Sequence, residues 1–175
     1  PEAASGDHFG CSAGIAGDMT LVGAYAASPD GVTHAGAAYI FPLSREEWSE
    51  KLLLTAPDAA ADDNFGCSAS VAGDVVLVGA DWVDSVGAAY VFERNPAGTS
   101  AWGRVVKLAA VDAAAGDRFG FSAGMAPDVA LVGAVYGDPD GVTDAGAAYV
   151  FERHAGGTNA WGLAAKLTAS DKAVS

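Results

Sequence analysis

Cationic side chains and long apolar runs are scarce in this sequence. Only 9 lysine and arginine residues stand against 22 aspartate and glutamate residues among 175, which gives a net charge of −13 at pH 7. A surface of that sign repels a phosphate backbone, so nucleic acid is excluded as a partner and cations or basic protein surfaces are favoured. No apolar run approaches the roughly 20 residues that a membrane helix needs, so no membrane span is expected.

Cysteine is also rare, since Cys11 and Cys67 are the only two. They occupy the same position in successive repeats, and the third repeat has Phe121 there. A position that accepts phenylalanine is an apolar one, so two buried free thiols are favoured over a disulfide. A basic leader followed by an apolar stretch is lacking as well. Because the first residues already lie inside a repeat, we expect the segment to derive from a longer precursor.

What the sequence has in abundance is internal repetition. Five landmarks keep one order through three copies, so chance similarity is not a serious rival. The landmarks are Phe-Gly at 9, 65 and 119; Gly-Ala at 23, 79 and 133; Gly-Ala-Ala-Tyr at 36, 87 and 146; Trp at 48, 102 and 161; and Lys-Leu at 51, 107 and 166. Spacing varies only between the landmarks, which places the insertions in loops.

Each copy predicts four short strands, which we call A to D. Strand A starts at Phe-Gly, and a turn of Ala-Gly-Asp or Ala-Pro-Asp leads into strand B, which is apolar at consecutive positions. Strand C reads GAAYVFER in the second copy, and strand D starts at the tryptophan. Nothing in the chain has a sustained helical period. The pattern therefore predicts an all-β fold, a β-propeller whose three four-stranded antiparallel blades form part of a larger or partner-completed propeller.

The repeat also predicts the boundaries of the blades. We place blade 1 at residues 1–55, blade 2 at 56–109 and blade 3 at 110–168, with 169–175 as the start of a further repeat. Propellers close with about 4–8 blades, so three blades leave two apolar blade faces uncovered. We expect neighbouring blades or a protein partner to cover those faces.

The Phe-Gly landmark, the Leu-Val-Gly-Ala of strand B and the GAAYVF strand occur in a fixed order. In this they resemble the FG-GAP repeat, the blade motif of integrin alpha-subunit propellers and of many bacterial and algal extracellular proteins. The resemblance covers residues 9–54, 65–108 and 119–167, nearly the whole chain. It implies a propeller that binds ligands on the face formed by the B–C and D–A loops, in an extracellular, cell-surface or organelle-lumenal setting.

The chain departs from the pattern of that family in two places. The proline of Gly-Ala-Pro is replaced by Tyr25, Asp81 and Val135. Integrin-type repeats often carry a calcium loop, Asp-x-Asp-x-Asp-Gly-x-x-Asp, between strands A and B, and this chain has only Ala-Gly-Asp or Ala-Pro-Asp there. The chain therefore resembles a shorter subtype without the loop, and the calcium site of the family is not carried over.

The acidic residues gather in two sets of connections. Strands of a blade run alternately up and down, so the B–C and D–A connections share one end of a propeller. Only Arg118 and Lys172 lie there beside 14 of the 22 acids: Glu2, Asp7, Asp30, Asp58, Asp62, Asp63, Asp81, Asp84, Asp112, Asp117, Asp138, Asp140, Asp144 and Asp171. We interpret this end as a binding face for cations or a basic partner, strengthened by focusing of the electric field. A solubility rim is the alternative, because aspartate is a good turn former.

One tryptophan, Trp82, is not among the tryptophans that recur in every copy. Trp82 lies in the acidic B–C loop of the second copy, where an exposed tryptophan is a plausible contact residue. Tyr25 and Tyr136 lie on equivalent loops and are expected to flank it, while Asp81 and Asp84 are its acidic neighbours. These five residues are the candidate ligand contacts.

The loop DPDGVTDAG is the candidate metal site. Asp138, Asp140 and Asp144 would place three hard oxygen ligands around a glycine, as a calcium loop does. Asp-Pro-Asp-Gly is equally a type I turn with proline at i+1 and glycine at i+3, and the first copy has Ser28 and His34 in place of two of the acids. The plain turn is favoured, and calcium is the one cofactor kept as an alternative.

A non-enzymatic function is favoured by the same repetition. The serine after Phe-Gly recurs in every copy, as Ser12, Ser68 and Ser122, whereas a catalytic residue need occur only once. We therefore expect a protein-interaction or adhesion propeller that uses its acidic loops, for example as an accessory subunit of a larger assembly. The alternatives are the propeller portion of a secreted hydrolase or lyase whose catalytic residues lie outside this segment, and a structural surface-fibre spacer.

Overall fold

The computed structural model of the protein describes residues 4–43, 52–94, 102–158 and 160–170. These residues form three four-stranded antiparallel sheets, each of four consecutive strands in sequence order. Blade 1 consists of β1 (Ser12–Ala16), β2 (Met19–Ala24), β3 (Ala37–Pro42) and β4 (Leu52–Leu54). Blade 2 consists of β5 (Phe65–Ala72), β6 (Val75–Ala80), β7 (Ala88–Arg94) and β8 (Trp102–Leu108). Blade 3 consists of β9 (Phe119–Ala126), β10 (Val129–Ala134), β11 (Ala147–Arg153) and β12 (Trp161–Leu167).

The sheets confirm the prediction of an all-β chain made of four-stranded propeller blades. Strands A and B of blade 2 are joined by a tight turn in which Ala72 pairs with Val75. Gly73 in this turn has a φ of +58°, which glycine adopts at no steric cost. Several positions named from the sequence, namely Trp48, Lys51, Glu2, Asp171 and Lys172, lie outside the described residues.

The blades pack face to face around a repeated phenylalanine. Phe65 of blade 2 is fully buried, with edge-to-face contacts to Tyr90 and Phe92 at centroid separations of 5.6 and 5.9 Å. It belongs to a cluster that also contains Leu21 and Ile40 of blade 1. The interface between blades 2 and 3 repeats this arrangement around Phe119. The Phe-Gly landmark is therefore the core residue of each blade-to-blade interface.

The inner strands approach each other as closely as their small residues allow. A Cβ atom on Gly79 would overlap the carbonyl oxygen of Gly120 in the next blade. The same carbonyl accepts a hydrogen bond from Ser68 Oγ at 2.7 Å, and Ser12 Oγ makes the equivalent bond to Gly66 at 2.7 Å. The repeated serine is therefore a blade-to-blade hydrogen-bond donor, which gives it a structural role.

Burial along strand B shows which blades are covered on both sides. All six residues of β6 are buried, as its unbroken apolar sequence predicts. In β10 buried and more exposed positions alternate, and Leu131 is 42% exposed although the equivalent Leu77 is 0% exposed. Phe9 of blade 1 is 54% exposed, whereas Phe65 and Phe119 are fully buried. Blades 1 and 3 therefore each leave one apolar face uncovered, as the repeat count predicts.

The structure corrects the expected burial of both cysteines and shows the hydrogen-bond partner of one landmark tryptophan. Both cysteines are free, but Cys11 is exposed because it lies in an end blade, whereas Cys67 is more enclosed and burial raises the pKa of its thiol. The indole N–H of Trp161, a repeat landmark, donates to the carboxylate of Glu93 at 3.1 Å. The acceptor belongs to the preceding blade, a partner that one repeat read by itself does not reveal.

Candidate interaction surface

One end of the blades is formed by the B–C and D–A connections, and we call it the loop face. The two kinds of connection contact each other across blades, because Asp62 N–H donates to Thr33 O at 2.9 Å and Phe65 N–H to Ala35 O at 3.0 Å. The second interface repeats these bonds from Gly116 to Ser85 and from Phe119 to Val86, at 2.8 and 2.9 Å. The loop face is therefore a continuous surface fixed by main-chain hydrogen bonds.

The B–C loops share an unusual backbone geometry. Each contains a short 3₁₀ turn, at Pro29–Gly31, Val83–Ser85 and Pro139–Gly141. The central aspartates Asp30, Asp84 and Asp140 have φ values of +53°, +51° and +56°. A type I turn has negative φ at i+2, so the prediction of that turn type is wrong. Aspartate tolerates the left-handed region better than most residues, which explains why it recurs at this position.

Some of the carboxylates on the loop face serve the D–A connections themselves. Asp63 accepts the N–H of Ala60 at 2.7 Å, and Asp117 accepts that of Ala114 at 2.9 Å. Both side chains are buried, and burial raises the pKa of Asp63. Because these acids close loops, they are unavailable to a ligand.

Other carboxylates receive hydrogen bonds from the outer strands. Asp58 accepts bonds from Tyr90 Oη at 2.7 Å and from Lys107 Nζ at 2.6 Å. Burial raises the pKa of Asp58, but the bonds from Lys107 and Tyr90 outweigh it and the net effect lowers the pKa. Asp112 is held in the same way by Lys166 and Tyr149, and the lysine contact is the main cause of its lowered pKa.

Asp58→Asn is expected to destabilise the fold more near neutral pH than in acid. A carboxylate whose folded-state pKa lies below its ordinary value of 3.8 stabilises the fold above that pH. The stabilisation is lost as the pH falls through the folded-state pKa. Urea unfolding at about pH 6 and about pH 3 measures the difference. Asp30→Asn, on an exposed B–C loop, is the control, and an equal deficit of Asp58→Asn at both pH values would contradict the expectation.

The lysines at this end also correct the charge distribution predicted for it. Lys107 and Lys166 lie on strand D but extend their ammonium groups to Asp58 and Asp112 of the D–A connections. Twelve aspartates lie on the described B–C and D–A connections, at positions 7, 30, 58, 62, 63, 81, 84, 112, 117, 138, 140 and 144. With Arg118, three cations face them, so the loop face is less negative than the sequence suggested but keeps an acidic excess.

An aromatic cluster lies where the loops of blades 2 and 3 meet. The guanidinium carbon of Arg118 is 4.6 Å from the ring centroid of Trp82 and 5.7 Å from that of Tyr136. The backbone N–H groups of Trp82 and Tyr136 donate to Asp63 O and Asp117 O at 3.4 and 3.2 Å. Trp82 and Tyr136 remain 38% and 46% exposed. The cluster therefore presents two aromatic side chains on an anchored backbone, bridged by one arginine.

Two of the five candidate contact residues make other contacts than the sequence predicted. Asp81 is a buried carboxylate, bonded by Asn64 at 3.3 Å and paired with Arg118 at 3.5 Å, so the expectation that it reaches a ligand is corrected. Tyr25 stacks on His8 at a centroid separation of 4.8 Å, and its recorded ring contact is not with Trp82. Sequence reasoning missed Arg118, although its position differs in every copy.

Asp84 follows Trp82 by two residues and its side chain is exposed. Asp62 is also exposed, and its carboxylate lies 3.0 Å from Nδ1 of His34, forming an ion pair when that histidine is protonated. Unlike the loop-closing acids, these side chains point their charge towards solvent. They supply the outward acidic component of the loop face.

The three acids of the candidate metal loop do not form a ready ligand set. Asp138 Oδ1 accepts the N–H of Asp144 at 2.7 Å, and Ser28 Oγ of blade 1 accepts the N–H of His34 at 3.0 Å in the same way. Since serine performs the same task, the carboxylate of Asp138 acts as a loop-closing acceptor. Within the ranges that the structure covers, no three histidine, cysteine, aspartate or glutamate side chains are grouped to hold a metal ion.

Comparison with known proteins gives one family match. A model described as the FG-GAP repeat matches residues 1–41, 48–92 and 102–151. These segments cover more than half of the chain. The second includes β4 of blade 1, and the third begins with β8 of blade 2, so each is offset from the blades by one strand. A search of curated proteins found no match. In the part of the chain that the structure describes, no helix is long and apolar enough to cross a membrane.

Proposed function

The chain belongs to the FG-GAP repeat family, a propeller-type protein-interaction module, and from this premise we propose that it captures a basic protein segment on its loop face. The observation that carries the proposal is the aromatic cluster of Trp82, Arg118 and Tyr136, with exposed carboxylates nearby. Aromatic residues that are partly exposed on a rigid scaffold are favoured contact residues. The surrounding acids would attract a cationic partner and speed its encounter.

The backbone of the loop face supports recognition without a large rearrangement. The main-chain bonds between blades and the left-handed aspartates fix the B–C loops before a partner arrives. A preformed surface loses less conformational entropy on binding than a mobile one. This favours an anchored docking site over a passive rim of charged turns.

We also propose that the protein is not an enzyme. Two of the three repeated serines, Ser12 and Ser68, donate to a carbonyl of the next blade, and Ser122 is the same repeat position in blade 3, which supports a structural role for this serine. FG-GAP repeats are typical of extracellular or lumenal proteins, and we propose that setting for this chain. An adhesion role as an accessory subunit is consistent with both proposals.

Trp82→Ala is expected to weaken binding of a fluorescein-labelled peptide of alternating lysine and glycine by about tenfold or more. Loss of the indole removes one aromatic wall of the cluster and leaves Arg118 with only the ring of Tyr136 beside it. Fluorescence anisotropy at low and high salt measures the affinity, which should fall as screening increases. The same peptide with glutamate in place of lysine should not bind.

Matched variants distinguish damage to the loop-face site from general effects of a substitution on the protein. Phe121→Ala removes an exposed aromatic residue outside the loop face, and Glu152→Gln removes one negative charge at the opposite end of the blades. Neither should alter peptide affinity, whereas Asp84→Asn should reduce it severalfold. If Trp82→Ala and Asp84→Asn bind as well as the unmodified chain, or if the control variants weaken binding equally, the proposed site is wrong.

A further inference from the structure

The open side of blade 1, which we call the front face, carries residues that are buried in the other blades. Ile15 is 68% exposed, whereas the equivalent Val71 of blade 2 is 8% exposed and packs against blade 1. Phe9 is exposed in the same way, although Phe65 lies in the core of an interface. The front face thus has the composition of the surface that blade 2 buries against blade 1.

The open side of blade 3, which we call the back face, shows the converse. Leu131 and Leu167 are 42% and 49% exposed, whereas the equivalent Leu77 and Leu108 of blade 2 are buried against blade 3. Ser122 occupies the position from which Ser12 and Ser68 reach a carbonyl of the following blade. Ser122 is exposed, since no following blade is present in the described chain. The back face thus matches the surface that blade 2 offers to blade 3.

The chain displays the interface between a back face and a front face twice, at the junctions of blades 1 and 2 and of blades 2 and 3. Each junction combines an apolar cluster, a serine-to-carbonyl hydrogen bond and a parallel bridge, Gly36 to Phe65 and Gly87 to Phe119. The two uncovered surfaces are the unused halves of this same interface. We propose that a second copy of the chain places its front face on the back face of the first.

Closure of the ring limits the size of this assembly. A back-to-front contact is heterologous, so it continues from copy to copy until a ring closes. Two copies contribute six blades, which lies within the about 4–8 blades that propellers accommodate, whereas three copies exceed it. The expected species is therefore a dimer with two equal interfaces.

Blade 1 differs from the other blades in a way that predicts how the contact responds to salt. Arg94 reaches back to Asp18 of blade 1 at 3.1 Å, and Arg153 reaches back to Glu93 at 3.3 Å. Leu43 occupies the equivalent position in blade 1, with the same main-chain bond, from its N–H to Asp18 O. Among the described residues of blade 1, no arginine stands at this position, so the ion pair made by Arg94 and Arg153 has no counterpart there. The association is therefore apolar and insensitive to added salt.

Sedimentation velocity from about 1 to 100 μM is the test. The unmodified chain should sediment as a dimer, with a dissociation constant that changes little between low and high salt. Ile15→Asp damages the front face and Leu131→Asp the back face, so either variant damages both interfaces of its dimer. Each should weaken association roughly 100-fold, because a charge would be buried without a partner. Val111→Asp, at a residue 87% exposed on the connection between blades 2 and 3, is the control.

Mixing the two variants distinguishes back-to-front contact from other arrangements. A mixed dimer of Ile15→Asp and Leu131→Asp contains one undamaged interface, so association should partly return. Front-to-front pairing would make Leu131→Asp harmless, and that outcome would overturn the proposal. A monomeric unmodified chain at the highest concentration would also overturn it. Thermal melting of each variant tests for loss of folding, and peptide binding to the loop face tests the proposed function separately.

Discussion

Gly87→Ala is expected to lower the free energy of unfolding by about 4 kcal/mol, among the largest effects of a single methyl group in this chain. Gly87 has a φ of +99°, which disfavours any residue with a Cβ atom. The added Cβ would also overlap the backbone of Phe119 in the next blade. Backbone atoms held by a parallel bridge and a buried ring have little freedom to move aside. Urea unfolding followed by tryptophan fluorescence measures the change.

Substitutions at two further glycines distinguish the two causes of this effect, backbone strain at positive φ and steric overlap of the new Cβ atom. Gly73→Ala introduces the same kind of backbone strain, at a φ of +58°, but the new Cβ would meet nothing within 4 Å. It should cost only about 1 kcal/mol. Gly103→Ala involves neither positive φ nor a close neighbour and should be nearly neutral. If Gly87→Ala costs no more than Gly73→Ala, the close approach of blades at Gly87 does not constrain the fold.

Phe65→Ala is expected to cost about 3–5 kcal/mol, whereas Phe9→Ala should cost about 1 kcal/mol or less. Both residues are the phenylalanine of the Phe-Gly landmark, so the sequence change is identical. Phe65 is fully buried between blades 1 and 2, and its removal leaves a cavity. Phe9 makes the same edge-to-face contacts within its own blade, to Tyr39 and Phe41, but it is mostly exposed because no blade precedes it in the described chain.

Both phenylalanine variants are best compared in the Ile15→Asp background, so that self-association does not bury Phe9. Denaturant midpoints and slopes at equal protein concentration give the two free energies. Similar costs at the two positions would show that Phe9 is covered in solution even in that background. A small cost at Phe65 would instead contradict the face-to-face packing of blades 1 and 2.

The sequence was sufficient to predict features that depend on a single repeat. The unbroken apolar run of β6 predicts burial on both sides, and all six residues are buried. The small residues of the inner strands predict close backbone approach, which Gly79 and Gly87 show. Such features follow from the hydrophobic periodicity, the side-chain sizes and the turn residues of one repeat, which are local properties of the sequence.

Features that need two blades at once were not predictable from one repeat. The sequence places Arg118 at the acidic end but does not reveal its aromatic partners, because these lie on loops of two different blades. The sequence suggests that Asp81 faces a ligand, because it does not show that Asn64 and Arg118 bind its carboxylate. Those two residues belong to other connections than Asp81. The reach of Lys107 and Lys166 to the loop face depends on strand register. Register and neighbouring loops decide where such long side chains end.

Burial on both sides of blade 2 has a consequence for how the molecule loses its structure. Its strands are covered by the blade before and the blade after, whereas blades 1 and 3 each have one neighbour. In an array held together by nearest-neighbour contacts, the free energy of opening is lowest where a neighbour is missing. In a single chain that is not paired with a second copy, fraying therefore starts in blades 1 and 3 and reaches blade 2 last.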